Sequence, residues 1–170
     1  MAILPIRTFP DPVLTENCRP VETVDAALRD LADHMMETMY DAPGIGLAAP
    51  QVGETCRLVV VDVAGADEKR NPLYLFNPAI VEAKGEVVFE EACLSVPDYT
   101  ADVVRASQVV LQALDREGRP FTLEAEGLLA ICLQHELDHL DGRLFLDRIS
   151  PLKRALYRKR RLKQLRRGEE

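Results

Sequence analysis

The sequence has 170 residues, 47% of them hydrophobic, and a formal net charge of −7, which is typical of one globular domain with a single core. No apolar run approaches the length of a membrane span, and the start lacks the basic and then apolar pattern of a secretory signal. The four cysteines are irregularly spaced, without a Cys-x-x-Cys pair. We therefore expect reduced thiols, a cytoplasmic protein, and neither a membrane nor DNA as a partner.

The charge is distributed unevenly along the chain. Residues 151–170 contain nine Lys or Arg and two Glu, a balance of +7, which leaves −14 for residues 1–150. A basic segment beside an acidic body suggests that the segment has its own partner, a polyanion. We therefore predict a folded body over residues 1–150 and a basic helical extension over residues 151–170.

The first part of the chain predicts an arm and then a helix. Prolines interrupt residues 3–14, and because proline fixes φ and lacks an amide donor, we expect an extended arm or sheet edge. In residues 24–40, apolar side chains recur every three or four positions, which predicts an amphipathic helix. Asp25 or Thr23 can cap its start.

A run of small residues follows over residues 44–53, with Gln51 as its one polar side chain. The run either makes a tight connection between helix and strand or lets the backbone approach something closely. It is not a phosphate-binding loop, because the Gly-Lys-Ser/Thr ending is missing.

Strand signals fill the middle of the chain. A β-branched run over residues 56–63 predicts a buried strand, and Lys84-Gly85 predicts a hairpin between residues 79–83 and 86–90. Further strands are expected near residues 73–76, 102–106, 108–114 and 121–125.

Residues 128–140 are nearly all apolar apart from one motif, which predicts a buried helix. The motif is His-Glu-x-x-His, formed by His135, Glu136 and His139. Positions i and i+4 share a helix face, so both imidazoles can bind one metal ion while the glutamate reaches a water molecule on it.

A last helix begins at Ser150-Pro151, a good N-cap and first-turn pair. Together the elements predict an α+β fold with small mixed or antiparallel sheets. The sheets pack around the central buried motif helix, with an N-terminal helix and a C-terminal basic helix beside them. The metal motif makes residues 1–150 a candidate metallohydrolase domain.

A catalytic site of this kind needs a third protein ligand. Two common metallopeptidase designs place it downstream as His or Glu, but Phe145 stands at the histidine position and the only later glutamates are the last two residues. Upstream, the thiolate of Cys93 would bind iron or zinc strongly. Cys132, one turn before His135, is its rival, although an inert buried thiol is the commoner fate of such a cysteine. Residue chemistry alone leaves both open.

Three motifs in this order resemble those of the peptide deformylases: Gly44-Ile45-Gly46-Leu47-Ala48-Ala49-Pro50-Gln51, Glu91-Ala92-Cys93-Leu94-Ser95 and Gln134-His135-Glu136-Leu137-Asp138-His139. The resemblance implies a hydrolase of protein biosynthesis that removes the formyl group from the N-terminal formylmethionine of nascent polypeptides. It also implies that Cys93, His135 and His139 hold one divalent ion. Fe²⁺ is the expected native ion, with Zn²⁺, Ni²⁺ or Co²⁺ as substitutes.

The resemblance implies further roles. Glu136 is the general base and then acid, while the Gln51 side-chain amide and the Leu94 backbone N–H donate hydrogen bonds to the oxyanion. The basic segment over residues 151–170 would dock near the ribosomal exit tunnel. Substrate contacts fall on Ile45, Gly46, Phe89, Glu91, Leu128, Ile131 and Cys132.

The sequence departs from the family at Ala92, where glycine is usual. Every catalytic residue type is retained, so we expect a working deformylase with altered kinetics or peptide preference. Two alternatives stay open. A metallopeptidase lacks its downstream ligand here, and a non-catalytic ribosome-associated metal-binding protein would favour a closed four-ligand site, for which the sequence offers only three convincing ligands.

Overall fold

The computed structural model describes residues 2–168. Within these residues the α-helices are α1 (Ala26–Asp41), α2 (Gly127–Leu140) and α3 (Pro151–Arg166). Short 3-10 helices cover Pro12–Thr15, Ala49–Val52 and Phe145–Arg148. The strands are β1 (Gly46–Ala48), β2 (Leu58–Val61), β3 (Leu73–Lys84), β4 (Val87–Cys93), β5 (Val96–Arg105), β6 (Gln108–Leu114) and β7 (Pro120–Glu126).

The strands of the described chain form two antiparallel sheets. One has five strands in the order β1-β2-β3-β6-β7, and the other pairs β4 with β5. The long strand β3 is irregular, because its register against β6 shifts between Phe76 and Ala79 and again between Ile80 and Glu82. The predicted α+β class, with antiparallel sheets beside three helices, is confirmed.

The predicted hairpin at Lys84-Gly85 is wrong. Strands β3 and β4 flank this turn, but β3 pairs with β6 and β4 pairs with β5, so the two belong to different sheets. Gly85 has a φ of 74°, a left-handed conformation that lets the chain leave one sheet for the other. A turn signal shows that the chain changes direction, whereas pairing depends on which strand faces must be buried.

Helix α1 begins close to the predicted position. The Asp25 carboxylate accepts a hydrogen bond of 2.9 Å from the Leu28 amide, a cap worth about 1 kcal/mol. Its apolar face, including the fully buried Met35 and Met39, packs with Val60 of β2. The helix therefore covers one face of the five-stranded sheet.

Helix α2 is the buried centre of the fold. Its apolar residues Ala130, Leu133 and Leu140 are fully buried in the main core, together with side chains from β2, β3, β6 and β7. The polar motif residues on the same helix are buried as well, and His139 is only 1% exposed. Because a buried polar group without a partner costs free energy, the surroundings of α2 must satisfy these side chains.

Helix α3 starts as predicted, with the Ser150 hydroxyl accepting a hydrogen bond of 3.2 Å from the Lys153 amide. Most of its side chains are exposed, but Tyr157 and Arg161 are buried against the rest of the chain. The division between a domain over residues 1–150 and an extension over residues 151–170 stays a prediction, and residues 169 and 170 lie outside the described part. No helix among residues 2–168 is long and apolar enough to cross a membrane.

Candidate active site

The three predicted metal ligands come together between β4 and α2. Cys93 ends β4, while His135 and His139 lie one turn apart on α2. Their ligand atoms all lie within 4.8 Å of one another, and the Cys93 Sγ is 3.4 Å from the His139 Nε2. Because metal–sulfur and metal–nitrogen bonds are about 2.3 Å and 2.0–2.1 Å long for zinc, atoms this close can share one ion.

The residues present fit such an ion. Among the described residues, two buried side-chain atoms lack a hydrogen-bond partner, Glu136 Oε1 and His139 Nδ1. The orphaned carboxylate oxygen lies beside the ligands, where a water molecule on an ion would satisfy it. Burial holds the pKa of His139 well below its ordinary value, which keeps the ring in the neutral form that binds metals.

The rival thiol, Cys132, does not belong to this group of ligand atoms. It is 4% exposed, and its Sγ lies 3.7 Å from the Ile45 carbonyl oxygen. Burial raises the pKa of the Cys132 thiol well above its ordinary value, so it stays protonated and is a poor ligand. The geometry therefore favours Cys93 and leaves Cys132 in the wall of the site.

A buried carboxylate orients His135. Glu91 Oε1 lies 2.8 Å from His135 Nδ1, and Arg105 donates two hydrogen bonds of 2.7 and 2.8 Å to the same carboxylate. Burial opposes the ionisation of Glu91, but the hydrogen bonds from Arg105 and His135 hold its pKa below the ordinary value. An ionised Glu91 only accepts, so Nδ1 carries the proton and Nε2 is free to bind a metal.

A second carboxylate extends this network. Asp138 accepts hydrogen bonds of 2.7 Å from Arg105 and of 2.6 and 2.7 Å from Arg148. Burial opposes its ionisation, yet the hydrogen bonds from Arg148 and then Arg105 lower its pKa. Sequence reasoning missed both arginines. A signal was present, because an acidic side chain inside an apolar buried helix requires a cation.

The side-chain amide of Gln51 has a fixed orientation. Its Oε1 accepts a hydrogen bond of 3.0 Å from the Ala48 amide, and its Nε2 donates one of 3.0 Å to Ser95 Oγ. The same nitrogen lies 3.7 Å from the Cys93 Sγ. One N–H of Gln51 therefore points toward the metal ligands, and Ser95, which no chemical argument singled out, holds it there.

Glu136 is a buried carboxylate that lines the site beside the predicted metal ligands. It is 4% exposed, and burial raises its pKa to about 7. A carboxyl group that titrates near neutral pH can accept a proton and then release it.

A cavity of about 400 Å³ opens beside the ligands and has mainly apolar walls. Every predicted site residue except the more deeply buried His139 lines it. The carboxylate of Glu91 is turned toward Arg105 and His135, so any contact of this residue with a substrate stays a prediction. Ile45, Phe89 and Leu128 are 41%, 38% and 38% exposed at the cavity surface.

The chain as a whole is similar to a known protein family. A family model described as polypeptide deformylase matches residues 3–155. The chain belongs to the polypeptide deformylase family. Enzymes of this family are metal-dependent hydrolases that remove the N-formyl group from nascent peptides. The predicted family and activity are therefore confirmed, and neither a metallopeptidase nor a non-catalytic protein fits this result.

Named relatives agree with the family model. A peptide deformylase of Alkalilimnicola ehrlichii is 54% identical over 168 residues, covering 99% of this chain and 94% of that protein. One of Rhizobium meliloti is 55% identical over 157 residues, covering 92% and 90%. A crystal structure of a peptide deformylase from Legionella pneumophila has a TM-score of 0.89 at 48% identity, covering 99% of this chain and 100% of that one. The Ehrlichia chaffeensis peptide deformylase in complex with actinonin has a TM-score of 0.91 at 40% identity, covering 96% and 98%.

Proposed function

We propose that this chain releases formate from formyl-Met nascent polypeptides in the cytoplasm, using one divalent ion held by Cys93, His135 and His139. The observation that carries the proposal is a thiolate and two imidazoles within 4.8 Å of one another, beside the unpartnered oxygen of buried Glu136. The adjoining apolar cavity leaves room for a substrate.

An ion bound there supplies a Lewis acid, which lowers the pKa of a water molecule and polarises the formyl carbonyl. Glu136 removes a proton as the water oxygen attacks the formyl carbon, and then delivers it to the departing amine. The C–N bond breaks, leaving formate and a free N-terminus. The pKa of about 7 for Glu136 suits both transfers.

The developing oxyanion needs hydrogen-bond donors. We assign the Gln51 side-chain N–H and the Leu94 backbone N–H to this role. Gln51 supports the assignment because its carbonyl is fixed by Ala48 and its Nε2 lies close to Cys93. One such donor is worth about 2.7–4 kcal/mol of transition-state stabilisation.

The methionine side chain of the substrate enters the cavity. Ile131 and Cys132 are buried in its wall, while Ile45, Phe89 and Leu128 stand at its exposed edge. Strand β1 lies at the edge of its sheet, so its free backbone groups around Gly46 can pair with a peptide as an added strand. Backbone pairing of this kind tolerates many sequences, as an enzyme of nascent chains requires.

Ala92 lies on the cavity, exposed between two site residues, where its methyl group meets a bound peptide. We expect turnover with altered kinetics or peptide preference. The test is formate release from formyl-Met-Ala-Ser by the iron-loaded protein and by its Ala92→Gly variant. Absence of turnover in both would refute the proposed function. Turnover only after Ala92→Gly would show that the alanine disables the site.

The soft thiolate and two imidazoles suit Fe²⁺ and also Zn²⁺, Ni²⁺ or Co²⁺. We propose Fe²⁺ as the native ion, by the resemblance of the three motifs. Metal analysis of protein purified without oxygen, together with formyl-peptide activity, tests this choice. An active protein that contains stoichiometric zinc and no iron would overturn it.

We also propose that residues 151–170 dock the enzyme on the ribosome near the exit tunnel. The exposed face of α3 includes Lys153, Lys159 and Lys163, which can contact RNA phosphates. We expect ribosome binding to weaken with salt and to be lost when these three lysines become Glu, a change that spares the buried residues of α3. Binding that persists after deletion of residues 151–170 would contradict this role.

A further inference from the structure

One edge of the cavity is formed by residues 44–46, which we call the lip. Its central carbonyl, that of Ile45, accepts a hydrogen bond of 2.9 Å from the Asp62 amide. Asp62 directly follows β2, so this bond continues the pairing of β1 with β2 by one residue. The position of the lip therefore depends on Asp62.

The same pairing directs the next residue of the lip away from β2. In an antiparallel pair, alternate residues of a strand point their backbone groups at the partner strand. Because Ile45 faces β2, Gly46 faces the opposite way. The Ala48 amide, two residues further on, also turns away from β2 and donates to Gln51 Oε1. The backbone groups of Gly46 are therefore directed to the free edge of the sheet, where a peptide strand can pair with them.

The Asp62 side chain is held from three directions. Asp62 is 4% exposed, and its carboxylate accepts three hydrogen bonds. They come from the Tyr40 hydroxyl at 2.5 Å, the Ala64 amide at 3.0 Å and the Asn71 amide at 3.1 Å. Ala64 and Asn71 lie at the two ends of the loop between β2 and β3, so the carboxylate closes the base of this loop. A buried carboxylate that loses one of these donors must move toward another partner.

Tyr40 supplies the one side-chain donor of the three, and it joins Asp62 to α1. Burial and then the hydrogen bond to Asp62 raise the pKa of the Tyr40 phenol above its ordinary value, so the hydroxyl stays protonated and donates. The guanidinium carbon of Arg70, on the same loop, lies 4.0 Å from the centre of the Tyr40 ring and covers one face of it. The last turn of α1, the loop and the lip therefore meet at Asp62.

We propose that Tyr40 and Asp62 are positioning residues for deformylation, which hold the lip in register to pair with the backbone of the substrate. The inference rests on the proposed function, because it assigns a support to the strand that receives the peptide there. Neither residue is among the described residues that line the cavity, so both act through the Ile45 carbonyl. Backbone pairing binds substrate and transition state alike, so weaker pairing should raise KM and leave kcat nearly unchanged.

The first test compares Tyr40→Phe with Tyr74→Phe in formate release from formyl-Met-Ala-Ser. Tyr40→Phe removes only the hydroxyl and keeps the ring beneath Arg70. The control loses the hydroxyl of a tyrosine that also lies under an arginine, at 4.5 Å, but is two strands away from β1. We expect KM to rise about 5-fold in Tyr40→Phe with kcat within about 2-fold, and neither to change in Tyr74→Phe. An unchanged KM in Tyr40→Phe would overturn the proposal even if its Tm falls, because a bond that only stabilises the fold has that effect.

The second test shortens the substrate. Formyl-methioninamide has no residue after methionine and offers little backbone to the lip. Tyr40→Phe should therefore lower kcat/KM about 5-fold for formyl-Met-Ala-Ser and at most about 2-fold for formyl-methioninamide. Equal losses would place the defect at the reacting groups and overturn the inference. Wild-type protein that releases no formate from either substrate would instead refute the proposed function.

The third test measures the bond to the lip directly by backbone amide exchange. In Tyr40→Phe the Asp62 amide, which donates to Ile45, should exchange about 10-fold faster, while the buried amides of α2 keep their wild-type rates. A raised KM with wild-type exchange at Asp62 would show that Tyr40 acts by another route and would overturn the inference.

Asp62→Asn completes a double-mutant cycle. This change keeps the size of the side chain but replaces one acceptor oxygen by a donor, so we expect KM to rise at least 5-fold, or about as much as in Tyr40→Phe. Because both changes break the same bond, the double variant should have a KM within about 2-fold of that of Asp62→Asn alone. Two effects that multiply would contradict a shared action of Tyr40 and Asp62 on the lip.

Discussion

Replacing Arg105 by Met tests the buried network behind His135. The Arg105 side chain is 1% exposed and contacts two carboxylates, Glu91 at 2.7 and 2.8 Å and Asp138 at 2.7 Å. In Arg105→Met, Asp138 keeps both hydrogen bonds from Arg148, whereas Glu91 keeps only His135. The variant therefore leaves one buried carboxylate without a countercharge.

The cost of an uncompensated buried charge after loss of its partner is about 3–5 kcal/mol of unfolding free energy. For a chain of this length, about 2–4 °C of Tm is lost per kcal/mol, so we expect Tm to fall by about 6–20 °C. The exposed pair of Arg154 with Asp147, whose side chains are 47% and 41% exposed, provides the control. Arg154→Met should cost about 0–1 kcal/mol.

The assay is equilibrium unfolding in urea at neutral pH, with the metal content of each sample measured. Metal affinity should fall as well, by about 10- to 100-fold, because Glu91 would move to find another partner and release His135. A loss below about 1 kcal/mol in Arg105→Met, or a loss equal to that of Arg154→Met, would refute the account of a buried network that depends on this arginine.

Other variants test the catalytic groups. Glu136→Gln should keep its metal and lower turnover about 10²- to 10⁴-fold, since only proton transfer is removed; nearly intact activity would disprove the assigned base. Gly46→Ala should lower activity severely in a formate-release assay, because the added Cβ would lie 2.6 Å from Glu136 Oε2. Gly65→Ala is the control and should behave as wild type, because only the flexible Glu68 side chain lies near its added Cβ. Cys93→Ala should bind about 10-fold less metal or worse, and Cys132→Ala should retain it by elemental analysis.

The helical part of the site could be predicted because spacing alone determines geometry on a helix. His135 and His139 share a face at i and i+4 wherever that helix lies, and the apolar residues around them indicated that it is buried. Capping residues likewise located the starts of α1 and α3. These predictions depend on contacts between residues close in sequence.

The choice between Cys93 and Cys132 could not be made in this way. Cys132 is near His135 in sequence and Cys93 is 46 residues from His139, yet Cys93 is the one that reaches the ligand group. Residue chemistry left both open, and only the motif resemblance named Cys93. The failed hairpin at Lys84-Gly85 has the same origin, since local turn residues say nothing about which strand is the pairing partner.

The ionic network was beyond prediction for a further reason. Arg105 is 14 residues from Glu91 and 33 from Asp138, and an arginine at the end of an ordinary strand gives no signal of burial. Arg105 meets its partners only in the tertiary structure, where β5 pairs with β4 and packs near α2. The sequence did contain the demand for a cation, in the form of Asp138 within an apolar helix, but not the identity of the residue that meets it.

Stability alone does not explain why this network is ionic. Apolar side chains of similar volume in place of a buried ion network are often neutral or stabilising by about 1–4 kcal/mol. Such side chains could not accept a hydrogen bond from the Nδ1–H of His135, so the ring would be free to rotate or to change tautomer. The Arg148 side chain is 38% exposed and could be solvated by water at little cost in free energy. The Glu91 side chain is 3% exposed, so its charge depends on protein partners. The charges therefore serve to fix the orientation of His135, one of the three proposed metal ligands.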